Sequence, residues 1–427
     1  MFNVIILILL ISILFTLLLV CKDLIIPPII LTISWIIPVL WLVMTEGIGV
    51  NSYQLNIYAF IFPLGIFVFI LGFFFVNKKI PKHPKAIEVV DNRRCSLLFK
   101  IFIVFELMMS IYFFYDVYKY ILGHFQYNIW FTYKWSVSMG EYIDFFLIPY
   151  LRTASRIITC IMFIQFLKKD KYKLDNKWFY LQFIVAFALN MFGQGRGGMF
   201  SFIIPMAIIY MLMHRKSNIQ LIRIAIKFIV VLSAIFTVYA ILKTPYDTST
   251  KTSMMVTLEN YLCGSLVAFC NWAASKHVIY NGVYTFRFFL AVLNAIGINV
   301  PVVSMVEPYV TNMDGSLGNV YTIYKWYAND FGLAYAVSIQ FILGLLYGWI
   351  YKKTFIKKTQ MWLIIYSVSF YPLFMQFFND QYITMLSVWI QTGFWIWIFL
   401  KTFIFYVNCT VKDREKVKKV KRLRLKV

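Results

Sequence analysis

The chain is a succession of long apolar runs separated by short polar ones. An apolar helix of about 20 residues crosses about 30 Å of hydrocarbon at 1.5 Å per residue, and about eleven runs meet that length. They are Met1–Cys21, Leu24–Met44, Ile57–Val76, Leu97–Leu122, Phe145–Leu167, Trp178–Phe192, Met199–His214, Phe228–Leu242, Phe331–Tyr351, Met361–Phe378 and Ile383–Val407. Trp178–Phe192, Met199–His214 and Phe228–Leu242 are short, which predicts steep helices or ill-defined ends. The first run lacks a basic n-region and a small-residue cleavage site, so it reads as a retained span rather than a cleaved leader.

Composition agrees with the pattern: 61% of the 427 residues are hydrophobic and 20% aromatic, with a mean hydropathy of +0.74. This excludes a soluble enzyme and predicts an all-α, polytopic integral membrane protein in one domain, residues 1–427, since no linker or internal repeat divides it. The net charge of +23 is a topology signal and not a nucleic-acid footprint. If Lys22, Lys78–Lys100, Lys168–Lys177, Arg215–Lys227, Lys352–Lys358, Lys401 and the tail share one side, that side holds about 31 of the 41 basic residues, which makes it cytoplasmic. The C-terminus, with the basic tail at residues 408–427, is then cytoplasmic and rests on anionic headgroups. One large external loop, residues 243–330, remains. Within it Val256–Ser275 and Val283–Val303 are apolar enough for interfacial or re-entrant helices, or, if both cross, for two more spans.

Several chemistries are absent from the pattern. Cys263 and Cys270 are seven residues apart, about 10 Å on a helix and beyond disulfide reach. His83, His124, His214 and His277 show no metal-binding spacing, so neither a metal site nor a cofactor is expected. No GxxxxGK[ST] loop is present. Gly193, Gly195 and Gly198 match G-x-G-x-x-G, but between two predicted membrane helices rather than in a strand–turn–helix unit.

Charge inside the apolar runs is more informative. Arg152 and Arg156 lie one helical turn apart on one face of a predicted span, where a guanidinium needs an anion. That anion is either a bound phosphate group or an internal carboxylate such as Asp144, Asp116 or Asp380. The GQGRGG run, Gly193 to Gly198, offers backbone N–H groups, Arg196 and the N-terminus of a helix starting near Met199. It reads either as a phosphate cradle, through Gly195, Arg196 and Gly197, or as a hairpin closure whose arginine snorkels to water. Further on, Asn319, Tyr321, Thr322, Tyr324, Tyr327 and Asp330-Phe331-Gly332 lead into the next span.

The N-x-Y-T-x-Y-x-x-Y-x-x-D-F-G run, the glycine-flanked Arg196 and the single large external loop resemble the Wzy-type O-antigen and capsular oligosaccharide repeat-unit polymerases. The resemblance implies a membrane glycosyltransferase of the bacterial inner membrane. It would transfer a growing glycan from undecaprenyl diphosphate to a sugar hydroxyl of a second lipid-linked repeat unit, alongside a chain-length regulator and a flippase. It implies catalytic roles for Arg196 and Asp330 and substrate-binding roles for Arg152, Arg156, Gly195, Gly197, Asn319, Tyr321, Tyr324 and Tyr327. From the residues alone, arginines suit a departing diphosphate, and Tyr321, Tyr324, Trp326 and Tyr327 suit sugar faces, although Trp326 equally suits an interfacial belt. Asp330 is either a base, with Glu307, Asp314, Asp247 and His277 as alternatives, or the cap of a helix beginning at Phe331.

The glycine-flanked hairpin is shorter than the second loop usual in that family, which leaves the role of Arg196 open. An O-antigen ligase shares the architecture and donor. A lipid-linked oligosaccharide flippase is the non-enzyme alternative and predicts polar groups spread along several helices. An acyltransferase would want a His–Asp pair, which the external segments lack.

Overall fold

The computed structural model describes residues 1–21, 23–45, 54–78, 86–87, 97–124, 129, 132–133, 136–137, 140–168, 176–194, 196–214, 217–243, 254–275, 279–304, 307, 310–311 and 317–401. The helices are α1 (Phe2–Val20), α2 (Pro27–Thr45), α3 (Ile61–Val76, entered through a 3-10 turn at Ile57–Phe60), α4 (Leu97–His124), α5 (Ile148–Leu167) and α6 (Asn176–Gln194). They continue as α7 (Arg196–His214), α8 (Asn218–Lys243), α9 (Met254–Ala274), α10 (Arg287–Ala295), α11 (Ile323–Lys357) and α12 (Gln360–Phe374), followed by α13 at residues 386–401. A single antiparallel ladder of two residues per strand, β1 (Val310–Thr311) and β2 (Leu317–Gly318), interrupts the helical pattern.

Among the described residues six helices are long and apolar enough to cross a membrane: α1, α2, α3 with its leading turn, α4, α7 and α11. Ile8, Phe15 and Leu19 on α1, and Ile101, Met108 and Ile111 on α4, are exposed, as lipid-facing side chains are. The protein is a helical membrane protein. The other five predicted runs are helical too, as α5, α6, α8, α12 and α13.

The chain forms two compact units, each assembled from separated stretches. The first comprises Met1–Lys85, Thr248–Lys357 and Ser369–Ser387, and the second comprises Ala86–Asp247, Lys358–Val368 and Val388–Val427.

In the first unit α3 and α11 form the main packing contact, and small residues make it possible. A Cβ on Gly72 would collide with the carbonyl oxygen of Phe341, and one on Gly344 with that of Phe69. Backbone meets backbone across this seam, where dispersion contacts and not a hydrophobic driving force hold helices together in lipid. Asn77 closes its lower end by donating from Nδ2 to the carbonyl oxygen of Gly348 (2.9 Å). Helix α11 breaks at Phe331 (φ −138°) and Gly332 (φ +81°, ψ 178°), leaving a short buried helix at residues 323–330 before the long span.

The two helices predicted inside residues 243–330 differ. Helix α10 has no buried residue and exposes Phe289 and Val292, as an interfacial helix would. Helix α9 packs on α2 and α11 with Cys263, Leu266, Phe269 and Cys270 fully buried, so it is a core helix and not an interfacial one. Its Ser265 hydroxyl donates to the carbonyl oxygen of Phe377 (2.7 Å). Both cysteines are free thiols.

In the second unit α5 touches α4, α6 and α7, and nearly all of its side chains from Ile148 to Gln165 are buried. Pro149 lies in its first turn, where a missing N–H costs nothing. A helix so enclosed must find partners for every polar side chain it carries.

The seam gives a direct stability test. Gly344→Val and Gly72→Val force α3 and α11 apart and are expected to cost about 3 kcal/mol or more, at the top of the overpacking range. Gly264→Ala on α9, where a Cβ meets nothing within 4 Å, is expected to be neutral. Thermal unfolding of the detergent-solubilised protein, followed by size-exclusion chromatography, separates these outcomes; equal melting of all three variants contradicts the seam.

Candidate functional site

The arginine pair is the centre of the second unit. Arg152 is 3% exposed and is held on several sides. Nη1 donates to Asp144 Oδ2 (2.7 Å), Nε donates to the carbonyl oxygen of Leu189 on α6 (3.1 Å), and the guanidinium lies 5.2 Å from the ring centre of Phe113 on α4. Asp144 also accepts from the Tyr133 hydroxyl (2.9 Å). The predicted alternatives for an internal partner thus resolve onto Asp144. Asp116 accepts from Tyr142 (2.6 Å), and burial, followed by that bond to Asp116, pushes the Tyr142 phenol well above its usual range. Asp380 belongs to the first unit.

Arg156 is placed differently. It is half-buried and donates from Nη1 to Ser201 Oγ on α7 (2.8 Å), from Nη2 to Thr153 Oγ1 (3.1 Å) and from Nε to the carbonyl oxygen of Arg152 (3.2 Å). The Ser201 hydroxyl in turn donates to the carbonyl oxygen of Gly198 (2.9 Å). The guanidinium is therefore tied to the beginning of α7. By helix geometry the first four N–H groups there have no intrahelical acceptor, and the positive end of the dipole lies at the same place.

The glycine-rich run is mostly helix. The structure ends α6 at Gln194 and starts α7 at Arg196, three residues earlier than the predicted start near Met199. Glycine costs about 1 kcal/mol in a helix interior, but Gly197 and Gly198 occupy a first turn, and Gly198, which has no side chain, is buried beside Ser201. Gly195 and the Arg196 side chain lie outside the described residues.

A third polar group joins α4, α5 and α6. Glu106, fully buried, accepts at Oε2 from Gln182 Nε2 (2.9 Å), which also approaches Thr159 Oγ1 (3.4 Å). One turn along α5, the Ser155 hydroxyl accepts from Asn190 Nδ2 (3.1 Å). Glu106 went unremarked in the sequence, although an acid ten residues into an apolar run is itself a signal.

In the first unit the residues from Tyr321 to Asp330 are all buried. Tyr324 packs among Trp35, Phe62 and Phe269, with ring centres 5.7, 6.0 and 6.0 Å away. Tyr327 donates to Asp380 Oδ1 (2.9 Å), and Trp326 donates through Nε1 to the carbonyl oxygen of Tyr284 (3.0 Å). These rings are buried in the core, which leaves Asn319, half-buried, as the more accessible member of the run. Lys325 pairs with Glu307 (2.8 Å) and lies 3.2 Å from the Tyr321 ring centre. Burial, with Glu307 adding to it, pushes the Tyr321 and Tyr284 phenols up to about 12, so both are neutral at physiological pH.

Asp330 is fully buried and accepts the backbone N–H of Tyr284 at Oδ1 (3.0 Å) and that of Thr285 at Oδ2 (2.5 Å). It therefore clamps the turn at residues 281–286, which enters α10, instead of capping the helix that resumes beyond Gly332. Asp247, Asp314 and His277 lie outside the described residues.

No protein-family model, curated protein or solved structure matches the chain.

Two measurements test the geometry. Breaking a buried ion pair from one side strands a charge and costs about 3–5 kcal/mol, whereas apolar replacement of both partners is often tolerated. Arg152→Met and Asp144→Leu are each expected to melt well below Arg152→Met/Asp144→Leu; a double variant as unstable as the sum of the two removes the coupling. At Asp330, Asn offers one acceptor where two N–H donors converge, so Asp330→Asn and Asp330→Ala are both expected to lose about 1–3 kcal/mol. Wild-type melting of Asp330→Asn contradicts the two-point clamp.

Proposed function

We propose that the protein polymerises undecaprenyl-diphosphate-linked oligosaccharide repeat units into O-antigen or capsular polysaccharide at the outer face of the bacterial inner membrane. The reading includes about eleven spans, an external segment at residues 243–330 and a cytoplasmic C-terminus, as loop charge indicates. One observation carries it: the Arg156 guanidinium is bound through Ser201 to the beginning of α7. A fixed cation and a helix N-terminus side by side inside an apolar protein favour one kind of ligand, an anion that arrives on a lipid.

In the reaction the acceptor hydroxyl attacks the anomeric carbon of the donor. The bond from that carbon to the diphosphate oxygen breaks, a glycosidic bond forms, and the hydroxyl proton passes to a base. Negative charge develops on the departing lipid diphosphate, and Arg156, the N–H groups around Gly195 and Gly197, and Arg196 are assigned to stabilise it. Arg152 is assigned to hold α5 in register, because its own charge is already balanced by Asp144. Asp330 is assigned as a positioning residue for the turn into α10. Tyr321, Tyr324 and Tyr327 are assigned to the core beneath this segment, with Asn319 its substrate-facing group. The partners on this reading are two lipid-linked glycans, the bilayer, a chain-length regulator and a flippase.

The spread of Glu106, Gln182, Asn190, Arg152 and Arg156 over α4, α5 and α6 favours one second reading, a lipid-linked oligosaccharide flippase. The glycan of a deletion strain separates the two. Loss of a polymerase leaves surface glycan with a single repeat unit, whereas loss of a flippase or ligase leaves none attached. Complementation with Arg156→Lys, which keeps the charge but loses the planar fork, is expected to shorten polymerisation about tenfold or more at normal membrane abundance. Full-length ladders from that variant contradict the assigned role.

A further inference from the structure

Glu106 takes no part in the diphosphate chemistry, and its surroundings have a character of their own. It lies within the apolar helix α4 and is fully buried. Ser110 one turn on donates to its backbone carbonyl and not to its carboxylate (2.7 Å). Oε2 accepts from Gln182, whereas Glu106 Oε1 and Gln182 Oε1 have no hydrogen-bond donor among the described residues. The amide is oriented by its neighbours. Gln182 Nε2 faces both the carboxylate and Thr159 Oγ1, and the Thr159 hydroxyl has already donated to the carbonyl oxygen of Ser155 (2.7 Å). With nitrogen turned that way, the amide oxygen is left as a second buried acceptor on the same hydrogen-bonded pair.

Among the described residues the surrounding helices set no cationic side chain against Glu106; Arg152 and Arg156 on α5 bond instead to Asp144 and Leu189, and to Ser201 and Thr153. Helix α5 contributes Thr159 and Ser155, and α6 contributes Gln182. Helix α13 sets Trp395 and Phe399 against Phe102, one turn before Glu106. Lys100, further back on α4, lies over the Trp178 ring at 5.6 Å. Lys177 near the start of α6 is exposed. Among the described residues no cationic side chain pairs with Glu106. A buried carboxylate with a single amide donor and one oxygen left without any is stabilised when a cation shares the site.

We propose that Glu106 and Gln182, with Thr159 orienting the amide, form a monovalent cation site within the membrane, filled by a proton or by Na⁺. Glu106 Oε1 and Gln182 Oε1 are the open oxygens that suit Na⁺, and the carboxylate alone suits a proton. Such a site gives a transmembrane cation gradient a point of action on the second unit. It is separate from the reading of Arg156, and its test uses no glycan.

The experiment treats the purified full-length protein with N,N′-dicyclohexylcarbodiimide, which modifies protonated carboxyls in apolar surroundings, and maps the adduct by peptide mass spectrometry. Labelling runs from mildly acidic to mildly alkaline pH, in sodium chloride or in choline chloride. Modification at Glu106, absent from Glu106→Gln, is expected. Suppression by sodium at constant pH identifies a Na⁺ site, and suppression by alkaline pH alone identifies a proton site. A Glu106 that stays unmodified at every pH in choline, or is modified regardless of both pH and sodium, overturns the proposal. Because wild-type protein carries the measurement, a misfolded variant cannot mimic either result.

Discussion

The cost of taking charge and polarity out of water governs this structure. In a chain whose helices are almost wholly apolar, each buried polar side chain has to be answered by another, and the answers fix which helices meet. Arg152 draws α4, α6 and the segment containing Asp144 around α5. Asp330 draws the turn before α10 onto the end of a short buried helix. Where polar groups are absent, as between α3 and α11, the helices are held by close approach at glycine, because lipid tails offer no hydrophobic penalty for separation.

This constraint separates two uses of one kind of side chain. Arg152 and Arg156 are one turn apart and identical in type, yet the first is neutralised within the fold and the second is bound to the opening turns of α7. Tyr324 and Tyr327 show the same division. The Tyr324 ring packs against Phe62 and Phe269 with its hydroxyl tip close to Gly65, and the Tyr327 hydroxyl donates to Asp380, which is the pattern of a packed core and not of a sugar platform.

Helical character was legible because an apolar run of membrane length admits little else, and every predicted run is helical over most of its described residues. The arginine pair was legible for the same reason, since arginine in an apolar run is conspicuous. Its chemical division was not, because the partner of Arg152 depends on how residues 140–148 fold back, and no periodicity encodes that. The α3–α11 seam was written as Gly344-x-x-x-Gly348 but needs its partner, Gly72, to be recognised. The two units were hidden for a topological reason: each is assembled from separated stretches, so no linker marks a boundary. Asp330 looked like a cap or a base because its partners, Tyr284 and Thr285, lie more than forty residues away, beyond any local motif.

The central claim is that the opening turns of α7, with Arg156, receive a lipid-borne diphosphate. The most direct measurement is the affinity of the purified protein for undecaprenyl diphosphate, compared with undecaprenyl monophosphate, by native mass spectrometry of wild type and Arg156→Gln. The account predicts preference for the diphosphate in wild type and a loss of about tenfold or more in Arg156→Gln, the size expected when a charge-assisted bond of about 1.5–3 kcal/mol is removed. Equal affinity of the two proteins for the diphosphate lipid would contradict it.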